Sequence, residues 1–368
     1  MIYLDNAATS FPKPRPVIQE VKKCITHYCG NPGRSSHKLS VAAAEKIYET
    51  RELVADFIKI KKSENVIFTP NATYALNLVI KGFVKEKCHV IISDLEHNSV
   101  LRPLYKSIKK YGGDYSVFST NDDIYSSVRS LIRNDTKVII STLCSNVTGK
   151  IVDLNKLSAL AKQFDLKLIL DASQYIGHKD IDLSDTHYSA LCSAGHKSLF
   201  GIQGSGFAVI NDQELLDTLC EGGSGVDSFS LEMPLMLPER YEAGTLSTPA
   251  IVSLGAGIKY LNEIGINKID NQILTLTKAL EYYLKDIPSI KIYGVENGIA
   301  SFNVKDYPSS YVSDILDKNG IATRSGFHCS PIVHQRLGTT TKGAVRVSMS
   351  IFNTEKDLIT LWKNLREI

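Results

Sequence analysis

Seven short apolar runs punctuate the first two thirds of the chain: NVIFT (65–69), HVIIS (89–93), YSVFS (115–119), KVIIST (137–142), LKLILD (166–171), YSALCS (188–193) and GFAVI (206–210). Between most of them lie longer stretches whose apolar positions recur every three or four residues, such as ATYALNLVIKGF (72–83) and LNKLSALAKQF (154–164). Short runs rich in Val, Ile and Leu read as strands, and the longer periodic stretches as helices. Strands that alternate with helix-length segments pair in parallel, because the crossover carries the chain back to the same end of the sheet. The pattern therefore predicts a mostly parallel sheet covered on both faces.

The pattern changes after about residue 246. Two long helical stretches, 249–264 and 267–285, are followed by short strands near 289–294, 299–304 and 344–349, with helices near 308–319 and 354–366. This reads as a smaller α+β domain joined through PERYEAGTLSTP (238–249). The expected division is a large domain over 15–245 and a small one formed by 1–14 and 246–368. The 368 residues suit two domains, at about 150 residues each.

Composition narrows the function. The chain has 42 basic against 39 acidic residues, a net charge of +3. That gives no electrostatic footprint for nucleic acid or an anionic membrane. No stretch approaches the roughly 18 consecutive apolar residues of a membrane span. The start, MIYLDNAATSFPKPRP, lacks the basic-then-apolar pattern of a secretion signal, so a cytoplasmic protein is expected. Seven cysteines, irregularly spaced and without a CxxC pair, argue against a zinc cluster or disulfide framework. Most are expected to be buried small hydrophobes.

In open α/β sheets ligands bind at the carboxyl ends of the strands, so the residues that follow each strand carry the candidate chemistry. Asn71, Ala72 and Thr73 begin a helix and form either a plain cap or a phosphate cradle. His97 could stack on a planar ligand or move protons, and Asn146 could bond a ligand substituent or simply make a turn. Asp171 ends an apolar strand, where a carboxylate is costly unless paired. Its partner is a helix N-terminus, an arginine or a protonated ring nitrogen, and Gln174 is close enough to reach the same ligand. Lys197 follows the next strand, at the same sheet edge, among small residues in SAGHKSLFGIQGSG (193–206). A desolvated lysine beside other cations has a lowered pKa and can form a Schiff base with a carbonyl. Lysine plus an aspartate on a pyridinium nitrogen suits pyridoxal phosphate, although either residue alone has ordinary explanations. In RSGFHC (324–329), Arg324 suits a substrate carboxylate, as does Arg346 in GAVRVSMS. Cys329 is either an inert turn cysteine or a reactive thiol favoured by positive charge nearby, His328 being its neighbour.

Taken in order, YLDNAAT (3–9), SSHKLS (35–40), NAT (71–73), EHNS (96–99), SNVTG (145–149), LDASQ (170–174), GHK (195–197), RYEAGT (240–245), RSGFHC (324–329) and RVSMSIFNT (346–354) make the chain resemble the class V aminotransferase-fold cysteine desulfurases, including the branch with selenocysteine lyases. The resemblance implies an aspartate aminotransferase-like fold, pyridoxal 5'-phosphate as cofactor and a homodimer as the working unit. It implies that Lys197 holds the cofactor as a Schiff base and removes the substrate α-proton. Asp171 would hold the ring nitrogen, Gln174 the phenolic oxygen, and His97 would stack on the ring. Ala72, Thr73 and His196 would bind the phosphate, with Thr245 reaching the phosphate of the other subunit. Asn146, Arg324, Arg346 and His37 would contact the amino-acid substrate, Arg346 being the favoured carboxylate anchor. Cys329 would accept the sulfur and pass it to an acceptor protein. Two departures stand out. The serine usual three places before the lysine is Ala194 here, with Ser193 the adjacent candidate for the cofactor. Phe327 stands where a histidine is common.

The implied reaction converts L-cysteine to L-alanine. L-selenocysteine as substrate, a class V aminotransferase and a non-catalytic partner protein are the competing readings; no metal is implied.

Overall fold

A computed structural model of the chain describes residues 1–33, 35–212 and 214–368. It begins with a two-residue strand, β1 (Ile2–Tyr3), followed by α1 (Arg15–Lys23), a single π turn over 24–28 and α2 (Lys38–Phe57). Seven strands then build the large sheet: β2 (Val66–Thr69), β3 (His89–Ser93), β4 (Asp114–Phe118), β5 (Thr136–Thr142), β6 (Lys167–Asp171), β7 (Ala190–Ala194) and β8 (Gly206–Ile210). Helices α3 (Ala72–Phe83), α4 (Asn98–Tyr111), α5 (Ile124–Arg129) and α6 (Leu154–Gln163) lie between them. The seven expected strands are all present, each within two residues of its expected bounds.

Both faces of this sheet are covered, because its strands are apolar at both parities. Ile91, Ile139, Leu168, Leu170 and Leu191 face one core with Val54 of α2 and Leu157 and Leu160 of α6. Val90, Ile92, Val138, Ile140 and Ile169 face the other with Leu76 and Ile80 of α3 and Leu104 of α4. Side chains alternate across a strand, so continuous apolar runs are what a two-faced sheet requires.

The strand order is β2-β8-β7-β6-β5-β3-β4. From β5 the chain proceeds through β6 to β7 in one direction, whereas β4 lies on the far side of β3. The order thus reverses between β3 and β5, and the carboxyl ends there form a natural crevice. One strand departs from the parallel expectation: β8 is antiparallel to both β7 and β2. The segment 195–205 between β7 and β8 forms no helix. Without a crossover the next strand can only return antiparallel.

A second, four-stranded antiparallel sheet has the order β12-β13-β10-β9. Its strands are β9 (Ile290–Glu296), β10 (Ile299–Val304), β12 (Arg324–Gly326) and β13 (Ala344–Ser348), while β11 (Ile321–Ala322) pairs with β1. Helices α7 (Thr248–Ile264), α8 (Ile266–Lys285), α9 (Ser309–Lys318), α10 (Pro331–Leu337) and α11 (Glu355–Arg366) complete the chain. Phe302, Val345, Val347, Leu280, Leu316 and Leu361 close its core. No helix among the described residues is long and apolar enough to cross a membrane.

The helix α7 crosses against the segment after β7 at Gly257, where an added Cβ would run into the Leu199 carbonyl oxygen. Alanine at a helix interior normally gains about 1 kcal/mol over glycine. Overpacking against a backbone atom costs about 1–3 kcal/mol, and this backbone cannot swing aside as a side chain would. Gly257→Ala is therefore expected to destabilise the fold by about 1 kcal/mol net, seen as a lower denaturation midpoint in urea. An unchanged or raised midpoint would show that α7 and the Leu199 turn are not in tight contact.

Candidate active site

Four loops at the reversal of strand order bring their side chains to one place. His97 follows β3, Asn146 follows β5, Asp171 ends β6 and Lys197 follows β7. They line a cavity of about 260 Å³. Ala72 and Thr73 from the start of α3, Gln174, His196, Arg324, Cys329 and Arg346 line it too.

Lys197 is only partly screened from the cavity, and no ion pair ties it to Asp171 among the described residues. Burial lowers its pKa to about 8, with the Arg346 and Arg324 charges adding to the effect and Asp171 opposing it. A free amine is therefore available near neutral pH. Asp171 is buried, and its Oδ1 accepts from the Ser173 backbone N–H at 3.0 Å. No protein donor reaches its other oxygen among the described residues, which leaves it free for a ligand N–H.

His97 caps α4, its Nδ1 accepting from the Ser99 N–H at 3.0 Å. Burial, then the Lys197 charge, lowers its pKa to about 4. It is therefore a neutral imidazole, suited to stacking on a ring. Ser99 Oγ lies 2.9 Å from His97 Nδ1 and 2.9 Å from Thr73 Oγ1. Asn71 caps α3 by accepting from the Tyr74 N–H at 3.1 Å, while Ala72 and Thr73 present the first turn to the cavity. Gly206 lets β8 approach this turn, since a Cβ there would sit 2.7 Å from Asn71 Cα. Helix N-terminus, hydroxyls and His196 together suit a phosphate. Gln174 Nε2 donates to the Ala7 carbonyl at 2.8 Å, which pins its amide at the cavity wall.

The opposite wall comes from the second sheet. Arg324 on β12 lies across from Arg346 on β13. Arg346 is almost fully buried; its Nη2 pairs with Asp5 Oδ1 at 2.6 Å and its Nη1 donates to the Asn146 carbonyl at 3.0 Å, while its Nε has no partner among the described residues. The Arg324 guanidinium has no protein acceptor among the described residues. Cys329 is exposed on the loop before α10. Its backbone and that of His328 have φ of +58° and +50°, a left-handed conformation that persists only when the surroundings enforce it. Here they do: Asn98 N–H donates to the Cys329 carbonyl at 2.7 Å, Asn146 Nδ2 to the His328 carbonyl at 2.8 Å, and Ser330 Oγ to Asn146 Oδ1 at 2.7 Å.

His328 does not supply the positive charge that the sequence suggested for Cys329. Burial, reinforced by Arg346, lowers its pKa to about 2, and its ring stacks on His334 with centroids 5.3 Å apart. The cations facing the cavity with Cys329 are Lys197, Arg324 and Arg346.

Three expected residues lie outside this cavity. Ser193 is buried inside β7, and because side chains alternate, Ala194 takes the cavity side. His37 is exposed and caps α2, accepting from the Ser40 N–H at 3.3 Å. Thr245 lines a separate, largely apolar cavity of about 360 Å³ with Tyr74, Tyr241 and Leu219. Sequence reading missed Ser99, Thr142, Cys144 and Ser173, which also line the site. It also missed Glu96, whose fully buried Oε1 accepts from the Thr142 N–H at 2.8 Å. Burial raises its pKa to about 8. A neutral acid thus ties the end of β3 to the end of β5 beneath His97. Ser99 and Glu96 flank His97 in the EHNS motif, but which side of the sheet edge they serve is a matter of tertiary contact.

The family model described as "Aminotransferase class-V" matches residues 2–361. The chain is 31% identical over its whole length to a probable cysteine desulfurase of Methanothermobacter thermautotrophicus, covering 94% of that protein. It is 32% identical to a probable cysteine desulfurase of Pyrococcus abyssi, with the same coverage. The apo structure of a cysteine desulfurase from Thermococcus onnurineus superposes with a TM-score of 0.93 at 30% identity, covering all of this chain and 94% of that one.

Proposed function

Since the chain belongs to the class-V aminotransferase family, we propose that it is a pyridoxal phosphate-dependent cysteine desulfurase, converting L-cysteine to L-alanine and leaving the sulfur as a persulfide on Cys329. The observation that carries this reading is one cavity lined by an amine, a carboxylate, a helix N-terminus and a thiol: Lys197, Asp171, Ala72–Thr73 and Cys329.

These residues fit the cofactor. Lys197 offers an amine with a lowered pKa for its aldehyde, Asp171 a free carboxylate oxygen for its ring nitrogen, and His97 a neutral ring to lie against it. Thr73, Ser99, His196 and the first turn of α3 offer donors for its phosphate. Pyridoxal phosphate, when bound, supplies an aldehyde for the substrate amine and an electron-poor ring that stabilises negative charge at the substrate Cα. The Arg324 guanidinium, unpaired among the described residues, is the freer partner for the substrate carboxylate. Arg346 is already committed to Asp5 and Asn146, and contributes its orphaned Nε. Lys197 takes the Cα proton and holds it on Nζ until it is returned to the product. Cys329 Sγ attacks the substrate sulfur; the Cβ–S bond breaks, an S–S bond forms, and alanine leaves. A thiol plus cysteine thus gives a persulfide plus alanine, with atoms in balance.

An exposed Cys329 facing this cavity favours a desulfurase over an aminotransferase, which has no use for a thiol there. The persulfide passes to an acceptor protein. A homodimer is proposed on the strength of Thr245, which lies away from its own chain's Lys197 cavity, and of the fully exposed Phe229 and Leu231 in the segment before it.

The test supplies purified protein with pyridoxal phosphate and L-cysteine. A yellow protein that forms alanine and sulfane sulfur in equal amounts supports the reading. A colourless protein, or alanine formed only when a keto acid is added, overturns it.

A further inference from the structure

The segment from Asp5 to Lys13 carries no role in the reaction just described, yet it touches three sides of the site. Asp5 pairs with Arg346 at 2.6 Å. The Ala7 carbonyl accepts from Gln174 at 2.8 Å. Beyond these, the segment converges on a single atom, the carbonyl oxygen of His196, which immediately precedes Lys197. Four donors reach it: Ser10 N–H at 3.1 Å, Thr9 Oγ1 at 3.0 Å, Ser10 Oγ at 3.2 Å and Lys13 Nζ at 2.9 Å.

Lys13 stands out among the four. Its ammonium also donates to Ser10 Oγ at 2.7 Å, and no carboxylate pairs with it among the described residues. Holding a half-buried ammonium without an anion is costly, and burial lowers its pKa to about 8. A charged donor makes a stronger bond to a carbonyl than a neutral one. The far side of the same turn is already fixed: Gly195 N–H donates to the Ser205 carbonyl at 2.9 Å and Gly201 N–H to the Gly195 carbonyl at 2.8 Å. The His196 carbonyl is where the turn meets the amino-terminal segment.

We propose that Lys13 is a positioning residue: by clamping the His196 carbonyl it fixes the backbone from which Lys197 reaches the cavity, through a segment whose other end holds Arg346. The proposal rests on the desulfurase reading. It separates two kinds of residue at the site, those that bind substrate and those that aim the amine.

The test compares the wild-type holoenzyme with Lys13→Met, which keeps the stem and removes the charge, and with Lys13→Arg. In Lys13→Met, kcat falls by about 10-fold or more, as expected when a reacting group is misplaced, while KM for L-cysteine stays within about twofold because Arg324 and Arg346 are untouched. Visible-region circular dichroism per bound cofactor falls with it, at unchanged visible absorbance. Lys13→Arg, which can still donate to the carbonyl, restores most of both. Should Lys13→Met fail to fold, Ser10→Ala removes another of the four donors and shows the same split at smaller size. Unchanged kcat and dichroism in the folded variants overturn the proposal, as does a fall in kcat matched by a rise in KM, or an Arg variant as poor as the Met one. A wild-type protein that stays colourless with pyridoxal phosphate removes the desulfurase reading itself, and the proposal with it.

Discussion

Lys197→Ala gives a folded protein that no longer links covalently to pyridoxal phosphate, seen as a shifted absorbance band that borohydride does not fix to the chain, and its alanine formation from L-cysteine falls by at least about 10⁴-fold. Two roles disappear together: the amine that holds the aldehyde and the base that takes the Cα proton. With a pKa of about 8, roughly a tenth of these amines are free at pH 7, against about one in three thousand for a lysine at its ordinary value. No other lysine among the described residues lines the cavity. Folding survives because the amine is a burden on the native state. Its folded pKa lies below the unfolded value of 10.5, so the unfolded chain binds more protons between about pH 8 and 10.5. The contribution of Lys197 to the apo-protein's stability therefore rises with pH across that window, and the difference between wild type and the alanine variant reads it. Absorbance after cofactor addition, alanine yield and urea melts at pH 7 and pH 10 read the three effects. An active alanine variant to which borohydride still fixes the cofactor would remove Lys197 from the chemistry.

Much of this arrangement is legible from the chain. Apolar runs at both strand parities announce a sheet buried on both faces, and the residue after each run is the one that reaches the crevice. That rule alone places Asp171, His97 and Lys197 at one sheet edge. What could not be read are the contacts between segments distant in sequence. Asp5 pairs with Arg346 across 341 positions, and Asn146 holds the Cys329 loop across 182. Neither pairing carries a local signal. His328 shows the complementary failure: beside Cys329 it promises charge, but burial and then the Arg346 charge make it neutral. Strand parity decided another case, turning Ser193 away and leaving Ala194 at the cavity. The direction of β8 was also hidden, because it depends on the segment 195–205 being a set of turns, and small residues alone do not exclude a short helix.

Cys329→Ser keeps the yellow colour and the affinity for pyridoxal phosphate but loses sulfide formation from L-cysteine, by on the order of 10³-fold or more. The substitution changes one atom. The left-handed backbone at 328–329 is enforced by Asn98, Asn146 and Ser330 through main-chain and side-chain bonds that a serine leaves in place, so the loop keeps its shape. An alcohol, however, neither ionises near neutral pH nor forms a stable bond to sulfur, so the Cβ–S bond of the substrate has nothing to hand its sulfur to. The residues proposed to hold the cofactor, at the start of α3, the end of β6 and after β3 and β7, do not include this one. L-Selenocysteine provides the internal control. Selenium leaves carbon more easily than sulfur does, so the serine variant can release selenium while failing on cysteine, which would place Cys329 at the transfer step and leave the binding and proton steps intact. If the variant instead forms sulfide from cysteine at the wild-type rate, another group accepts the sulfur, and Cys144, the other thiol lining the cavity, becomes the residue to test.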